Sequence, residues 1–98
     1  MEFEWDDQKR EKNIKNHGVD FISVIPLFLS GSSVYFEDNR KDYGEKRLTL
    51  MGELKGHLFQ VAFTVRGEKI RIISARRGNK RERKIYEQKK NNTGGPKS

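Results

Sequence analysis

The chain has 98 residues, a formal net charge of +7 and no cysteine, and 36% of its residues are charged against 33% that are hydrophobic. This length predicts one domain with a small core, because a globule of this size buries only about 60–65% of the surface of its unfolded chain. The absence of cysteine excludes a disulfide framework, and no apolar run is long enough for a signal peptide or a membrane span. We therefore expect a cytoplasmic protein that does not enter a membrane.

The sequence opens with a predicted strand and a predicted polar helix. Phe3 and Trp5 alternate with acidic residues, which is the period of a half-buried strand. Asp6 is placed to cap a helix, and the His-Gly pair at 17–18 is placed to end it. Only Ile14 between them is strongly apolar. A sheet is therefore expected to begin with the first residues of the chain.

A second, more apolar helix is predicted over residues 21–29, with Asp20 as its N-cap. Its apolar face is expected to comprise Phe21, Val24, Ile25 and Phe28. Pro26 interrupts this pattern, because a proline inside a helix removes a hydrogen bond and clashes with the preceding turn. We expect it either to kink the helix or to mark where a shorter one begins.

The chain from residue 34 to residue 75 predicts four strands joined by turns. They are expected at 34–37, 46–51, 57–65 and 69–75, with a polar loop over 38–45 and a turn through Gly52 to Gly56. The third of these segments is apolar on both faces, with Phe59 and Phe63 on one and Leu58 on the other. Such a pattern indicates a central position in the sheet.

The C-terminal part predicts a final strand, a basic helix and a tail. The strand is expected to place Ile70 and Ile72 on one face and Arg71, Ile73 and Ala75 on the other. The helix, over about residues 79–90, has little to bury beyond Ile85 and Tyr86. We therefore expect an α+β domain over residues 1–90, with an N-terminal strand, two helices, an antiparallel sheet of about four strands and a C-terminal helix. Residues 91–98 are expected to be a disordered tail.

The positive charge is concentrated near the last strand and helix. Residues 66–90 carry eleven Lys and Arg against three Asp and Glu, whereas residues 1–65 carry nine against eleven. Such a concentrated field is typical of a surface that binds a polyanion, because each neutralised phosphate releases condensed counterions. RNA or DNA is therefore the first expected partner.

Four sequence motifs carry a family resemblance. They are FEWD at 3–6, KNIKNHGVDF at 12–21, RKDYGEKR at 40–47, and RIISARR with RERKIYE at 71–87. In this order they resemble the BrnT family, the toxins of a type II toxin-antitoxin system. The resemblance implies a fold similar to RelE-type ribonucleases and an RNA-cleaving activity that arrests growth. It also implies a BrnA-like ribbon-helix-helix antitoxin, a heterotetrameric complex, and contact with operator DNA only through the antitoxin.

The chain departs from the family pattern at two places. Gly78 and Asn79 follow the paired arginines, where relatives commonly carry Ala and Thr or Ser, and Pro26 lies where relatives usually keep a regular helix. We expect Gly78 to loosen the junction and to affect the direction of the last helix. Neither change removes a chemical group that cleavage would need.

Paired arginines are the first candidates for a phosphate site. RNA cleavage without a metal needs a base for the 2′-hydroxyl, cations for the phosphate and an acid for the leaving oxygen. Arg76 and Arg77, with Arg47 and Arg40 near the preceding loops, suit a bidentate phosphate clamp. Because Arg76 and Arg77 alternate along a strand, we expect one in the clamp and the other in a structural or antitoxin-facing position. Solvated surface charge is the alternative.

Three residues are candidates for the base or the acid, and each has a structural alternative. His17 could instead only end its helix, and Glu45 could pair with a guanidinium. Tyr86 could dock the last helix rather than stack on an RNA base. His57 is expected to be merely exposed.

Further contacts to the RNA backbone are expected from Arg40, Arg71, Lys80, Arg81 and Lys84. No metal site and no cofactor are expected, since the two histidines lie forty residues apart and no cysteine is present. The alternative function is a non-catalytic nucleic-acid-binding subunit of an autorepressing complex. A third possibility is a basic helix that only binds an acidic antitoxin segment.

Overall fold

The computed structural model describes residues 1–39 and 44–93, which form five strands and three helices. In chain order these are β1 (Glu2–Glu4), α1 (Asp7–His17), α2 (Phe21–Phe28), β2 (Val34–Asp38), β3 (Arg47–Leu54), β4 (His57–Arg66), β5 (Lys69–Arg77) and α3 (Lys80–Thr93). The predicted α+β architecture is confirmed. α3 continues into the first three residues of the predicted tail, and residues 94–98 lie outside the described residues.

The strands form one sheet in the order β1-β5-β4-β3-β2. β4 is central, as its two apolar faces predicted, because Leu58 and Phe63 are both buried although they belong to different sides of the sheet. β1 pairs with β5 in parallel, whereas all other neighbours are antiparallel. The four later strands therefore form the predicted antiparallel sheet, and the N-terminal strand makes the whole sheet mixed.

The helices α1 and α2 cover one face of the sheet and begin at the predicted aspartate caps. Asp6 accepts a hydrogen bond from the Gln8 N–H at 2.8 Å, and Asp20 accepts one from the Ile22 N–H at 3.0 Å. Arg10 donates two hydrogen bonds of 2.8 Å to the Asp20 carboxylate and so joins the two helices. The core beneath them consists of Val19, Phe21, Val24, Leu27, Phe28, Leu50, Val61, Phe63, Ile70, Ile72 and Ala75.

Pro26 lies within α2 and does not begin a shorter helix. The helix starts at Phe21 and ends at Phe28, two residues after the proline. The proline removes the hydrogen bond to the Ile22 carbonyl, and the helix continues for only two residues beyond it. Leu27 is fully buried and joins the predicted apolar face, on which Ile25 is only half-buried.

A buried side chain of α1 holds the outer edge of β5. The Asn13 amide nitrogen donates to the Ala75 carbonyl at 2.7 Å and to the Val19 carbonyl at 2.8 Å. The Ala75 N–H in turn donates to the Asn13 side-chain oxygen at 3.0 Å. Asn13 is 6% exposed, so these hydrogen bonds satisfy polar groups that water does not reach.

A β-bulge between β4 and β5 overturns the predicted alternation of the last strand. Ala62 pairs with Ser74, whereas the next residue, Phe63, pairs with Ile72, so β5 contains one extra residue at this point. The extra residue returns Ala75 to the face of Ile72, and Ala75 is fully buried in the core beneath the helices. The strict period of two therefore fails after Ile72.

The hairpin between β3 and β4 is tighter than predicted. It turns at Lys55 and Gly56, whose φ values of 52° and 81° are both positive, as two-residue hairpin turns require. Gly52, predicted to begin the turn, lies inside β3. A Cβ atom there would lie 2.5 Å from Ser33 Oγ and 2.8 Å from Leu27 Cδ2, so this glycine permits the close packing of α2 on the sheet.

The helix α3 packs on the other face of the sheet, over a cluster of Val34, Met51, Leu58 and Tyr86. Asn79 caps it by accepting from the Glu82 N–H at 2.8 Å, while the Asn79 N–H donates to Glu82 Oε1 at 2.9 Å. Gly78 precedes this cap and does not loosen the junction. Its N–H donates to the Leu58 carbonyl at 2.9 Å, and a Cβ there would lie 2.5 Å from Leu58 Cδ2.

Candidate nucleic-acid interface

The adjacent arginines Arg76 and Arg77 have different surroundings. Arg76 donates to both carboxylate oxygens of Glu82, at 2.9 and 2.6 Å, and to the side chain of Gln60 at 2.8 Å. Arg77 is exposed at the end of β5, and within the described residues its side chain makes no hydrogen bond or ion pair. Arg76 therefore fastens α3 to the sheet, whereas the guanidinium of Arg77 is available to a ligand.

Glu82 connects the helix cap to the sheet. Its side chain is 14% exposed and binds both Arg76 and the backbone of Asn79. The hydrogen bonds from Arg76 are the main cause that lowers the pKa of Glu82 below its ordinary value. The carboxylate is therefore charged at neutral pH, and it holds the start of α3 beside the end of β5.

A groove of about 450 Å³ lies between the β3–β4 hairpin and the start of α3. We call it the junction groove; it is lined by Gly56, His57, Leu58, Arg77, Gly78, Asn79, Lys80, Arg83 and Lys84. Arg83 is engaged by Glu53 at 2.7 Å, whereas Arg77, Lys80 and Lys84 have no ion-pair partner among the described residues. The junction groove thus presents unneutralised cations of the kind that bind phosphate.

His57 also lines the groove, although its sequence context predicted only an exposed side chain. It is exposed and follows directly after the turn at Gly56, so the hairpin carries it to the junction groove. The short turn between β4 and β5 could have predicted this position. Arg66 and Lys69 pair next to the turn, so the first residues of β4 must lie beside the last residues of β5.

A second cationic region crosses the sheet on the face that carries α3. We call it the arginine row. It consists of residues that are register partners on successive strands, in the order Glu4, Arg71, Thr64, Arg47 and Asp38. Arg71 donates to Glu4 at 3.1 Å. Arg47 Nε lies 3.9 Å from a carboxylate oxygen of Glu45, whose other oxygen is 3.2 Å from Arg66. Carboxylates therefore accompany both arginines of the row.

The predicted catalytic residues do not form one group. Arg77 pairs with Phe59 and Arg47 pairs with Thr64, so they are five β4 residues apart, roughly 17 Å along the strand. Glu45 accompanies Arg47 at the far end. The structure therefore separates Arg47 and Glu45 from Arg77.

His17 and Tyr86 also lie apart from the junction groove. His17 is the exposed last residue of α1, the position from which its structural alternative was argued. Tyr86 is fully buried, and its hydroxyl donates to the Ser32 carbonyl at 3.2 Å. Tyr86 therefore docks α3, the structural alternative given above, and in this structure its ring has no exposed surface that could stack on a base.

The five cations expected along the RNA backbone are distributed over several places. Lys80 and Lys84 line the junction groove, whereas Arg81 is exposed on α3 but outside its lining. Arg71 belongs to the arginine row, and Arg40 lies outside the described residues. Within the described ranges, no three His, Cys, Asp or Glu side chains are grouped to hold a metal ion, and no helix is long and apolar enough to cross a membrane.

Comparison with known proteins places the chain in a family. A family model described as the ribonuclease toxin BrnT of a type II toxin-antitoxin system matches residues 5–82. No curated protein matches the chain. The matched segment begins at Trp5, directly after β1, ends in the first turn of α3 and includes His57, Arg76 and Arg77. The chain therefore belongs to the BrnT family of ribonuclease toxins of type II toxin-antitoxin systems.

Proposed function

We propose that the chain is an endoribonuclease that cleaves RNA without a metal ion and arrests growth, with the scissile phosphate in the junction groove. Membership of the BrnT family assigns the ribonuclease class and implies RNA as substrate and an antitoxin as partner. The observation that carries the proposal is the set of three cations, Arg77, Lys80 and Lys84, that line one groove without partners among the described residues. A polyanion would supply the missing counter-charges.

The groups of the junction groove match the needs of cleavage through the 2′-oxygen. Attack of that oxygen on phosphorus gives a 2′,3′-cyclic phosphate and releases the 5′-oxygen of the next nucleotide. Arg77 is placed to stabilise the charge that develops on the phosphate. His57 is the lining side chain best suited to transfer a proton, either from the 2′-hydroxyl or to the leaving oxygen.

We prefer His57 to Glu45 and His17 as the proton-transfer residue because only His57 lines the junction groove. Glu45 lies between two arginines near the far end of β4, and His17 lies at the end of α1. Neither of them lines the junction groove. We therefore assign proton transfer to His57 and give Glu45 and His17 no catalytic role.

We further propose a BrnA-like ribbon-helix-helix antitoxin that inhibits by covering the junction groove with an acidic segment. Groups that bind phosphate also bind carboxylates, and the sequence motifs that resemble the BrnT family support such a partner. A heterotetramer that contacts operator DNA only through the antitoxin follows from the same resemblance.

The test uses purified protein, freed of any partner, with ribosome-free single-stranded RNA in EDTA. We expect fragments that end in 2′,3′-cyclic phosphate, and we expect none with Arg77→Ala. Lys69→Ala is the matched control, since it removes an exposed cation at the opposite end of β5. Intact RNA with the wild-type protein would contradict the proposal and favour a non-catalytic subunit of a repressor complex.

A further inference from the structure

A second cavity adjoins the junction groove on the side of α2. It has a volume of about 320 Å³, and we call it the hairpin cavity; it is lined by Ser23, Pro26, Leu54, Lys55, His57 and Phe59. This volume falls at the lower end of the range of ligand pockets, about 300–1,000 Å³. Its walls include the pyrrolidine ring of Pro26 and the side chains of Leu54 and Phe59, so they are largely apolar.

His57 lines both the hairpin cavity and the junction groove, so the two adjoin at this residue. A second connection runs across the sheet, because Phe59 of the cavity and Arg77 of the groove are paired residues on β4 and β5. Side chains paired in this way have Cβ atoms roughly 5 Å apart. An aromatic ring in the cavity therefore neighbours the Arg77 guanidinium, which has no ion-pair partner within residues 1–39 and 44–93.

We infer that the hairpin cavity binds a nucleobase of the RNA strand whose phosphate occupies the junction groove. The inference rests on the proposed function and adds a base-binding subsite to it. Single-stranded RNA carries flat, largely apolar bases beside its phosphates, and aromatic side chains bind such bases by stacking. Phe59 supplies the ring, and Ser23 and Lys55 supply polar groups that can reach a base edge.

The charges favour RNA over an apolar segment of a protein partner as the occupant. Phe59 of the cavity pairs with Arg77 of the groove, whose cation can bind an anion carried beside the apolar group. A nucleotide carries an anionic phosphate and a flat, largely apolar base in one covalent unit. A peptide would need an acidic residue placed next to a flat apolar one.

The test blocks the cavity without removing a core side chain. Ser23 is exposed on α2 and lines the cavity, so Ser23→Trp should fill it. Ile22→Trp is the matched control, because Ile22 is 51% exposed and does not line the cavity. Affinity is measured for two octanucleotides of equal charge, a 2′-deoxy strand that lacks the nucleophile for cleavage and its abasic counterpart.

We expect the wild-type protein and Ile22→Trp to bind the strand with bases about tenfold more tightly than the abasic strand. Ser23→Trp should bind both equally, at the affinity of the abasic strand. Equal binding of the two strands by the wild-type protein would overturn the subsite, and so would a Ser23→Trp variant that weakens only antitoxin binding.

The Arg77→Ala variant separates failure of the subsite from failure of the proposed function. It should lower the affinity of both strands, because it removes a phosphate contact. If Arg77-dependent cleavage persists while the two strands bind alike, only the base subsite is wrong. If neither strand binds the wild-type protein, the proposed function is wrong and the subsite falls with it.

Discussion

The junction groove and the arginine row carry the same kind of side chain in different electrostatic states. In the arginine row Arg71 is held by Glu4 at 3.1 Å, and Arg47 lies 3.9 Å from Glu45. In the junction groove Arg77 has no such partner within the described part of the chain. A phosphate must displace a carboxylate in the row but meets an unneutralised cation in the groove. Whether an arginine has a carboxylate partner is thus a better guide to phosphate binding than the presence of the arginine alone.

The largest expected difference between the two regions is in cleavage rate. Arg77→Ala should lower kcat/KM for single-stranded RNA by roughly 10²–10³-fold, because it removes a group that stabilises the transition state. Arg71→Ala should lower it by less than about threefold, since Arg71 is engaged by Glu4. Single-turnover cleavage of a labelled RNA measures both values. Equal losses in the two variants would remove the distinction between the regions.

Arg76 should show the reverse behaviour, with a loss of stability as the primary effect. Arg76→Ala leaves the Glu82 carboxylate, whose side chain is 14% exposed, without its main partner. We expect the free energy of unfolding in urea to fall by about 2–3 kcal/mol. Arg81→Ala, on the exposed side of the same helix, should change it by less than about 0.5 kcal/mol. Unchanged stability with lost cleavage would instead place Arg76 in the phosphate site.

The Arg10–Asp20 ion pair should lose its contribution to stability in acid, when the Asp20 carboxylate is protonated. The hydrogen bonds from Arg10 are the main cause that lowers the pKa of Asp20 from 3.8 to about 2. A lowered folded-state pKa contributes stability above the ordinary pKa, and this contribution is lost as the pH falls toward 2. Asp20→Asn should therefore be less stable by about 1 kcal/mol at neutral pH, discounted for exposure.

The difference between wild type and Asp20→Asn should disappear as the pH approaches 2, the folded-state pKa of Asp20. Urea unfolding at several pH values measures the free energy of each protein. Parallel curves for the two proteins across this range would show that Arg10 does not stabilise the charged form of Asp20.

The smallest expected effect is on the salt dependence of RNA binding. Lys84→Ala removes one groove cation and should reduce the slope of log affinity against log salt by about 0.7 for a single strand. Arg71→Ala should leave the slope unchanged. Fluorescence anisotropy at several salt concentrations gives the slopes. A similar reduction in both variants would show that the arginine row also contacts phosphates.

Much of the fold followed from local sequence patterns. Asp6 and Asp20 cap the predicted helices, and the apolar pattern of β4 indicated its central position. The errors lie where tertiary packing determines the structure. Gly52 reads as a turn residue but serves a close contact with α2, and the bulge that returns Ala75 to the core depends on how two strands pair.

The candidate site was only partly predictable. The strand–helix junction was located from its charge, and Arg77, Lys80 and Lys84 do line one groove. The partners of Arg76 and Arg71 lie on other elements of the fold, so a count of charges could not identify them. His57 was missed because its role depends on the register of β4 against β5.

The Asn13 hydrogen bonds to Ala75 also bear on how this toxin avoids pairing with other chains. β1 covers only three residues of β5, so among the described residues the outer edge of β5 beyond Arg71 lacks a neighbouring strand. Open strand edges invite pairing with further strands and thus aggregation. Asn13 occupies both backbone groups of Ala75 as a one-residue strand would. One amide side chain thereby blocks the addition of a further strand, such as one from a second copy of the protein, at Ala75.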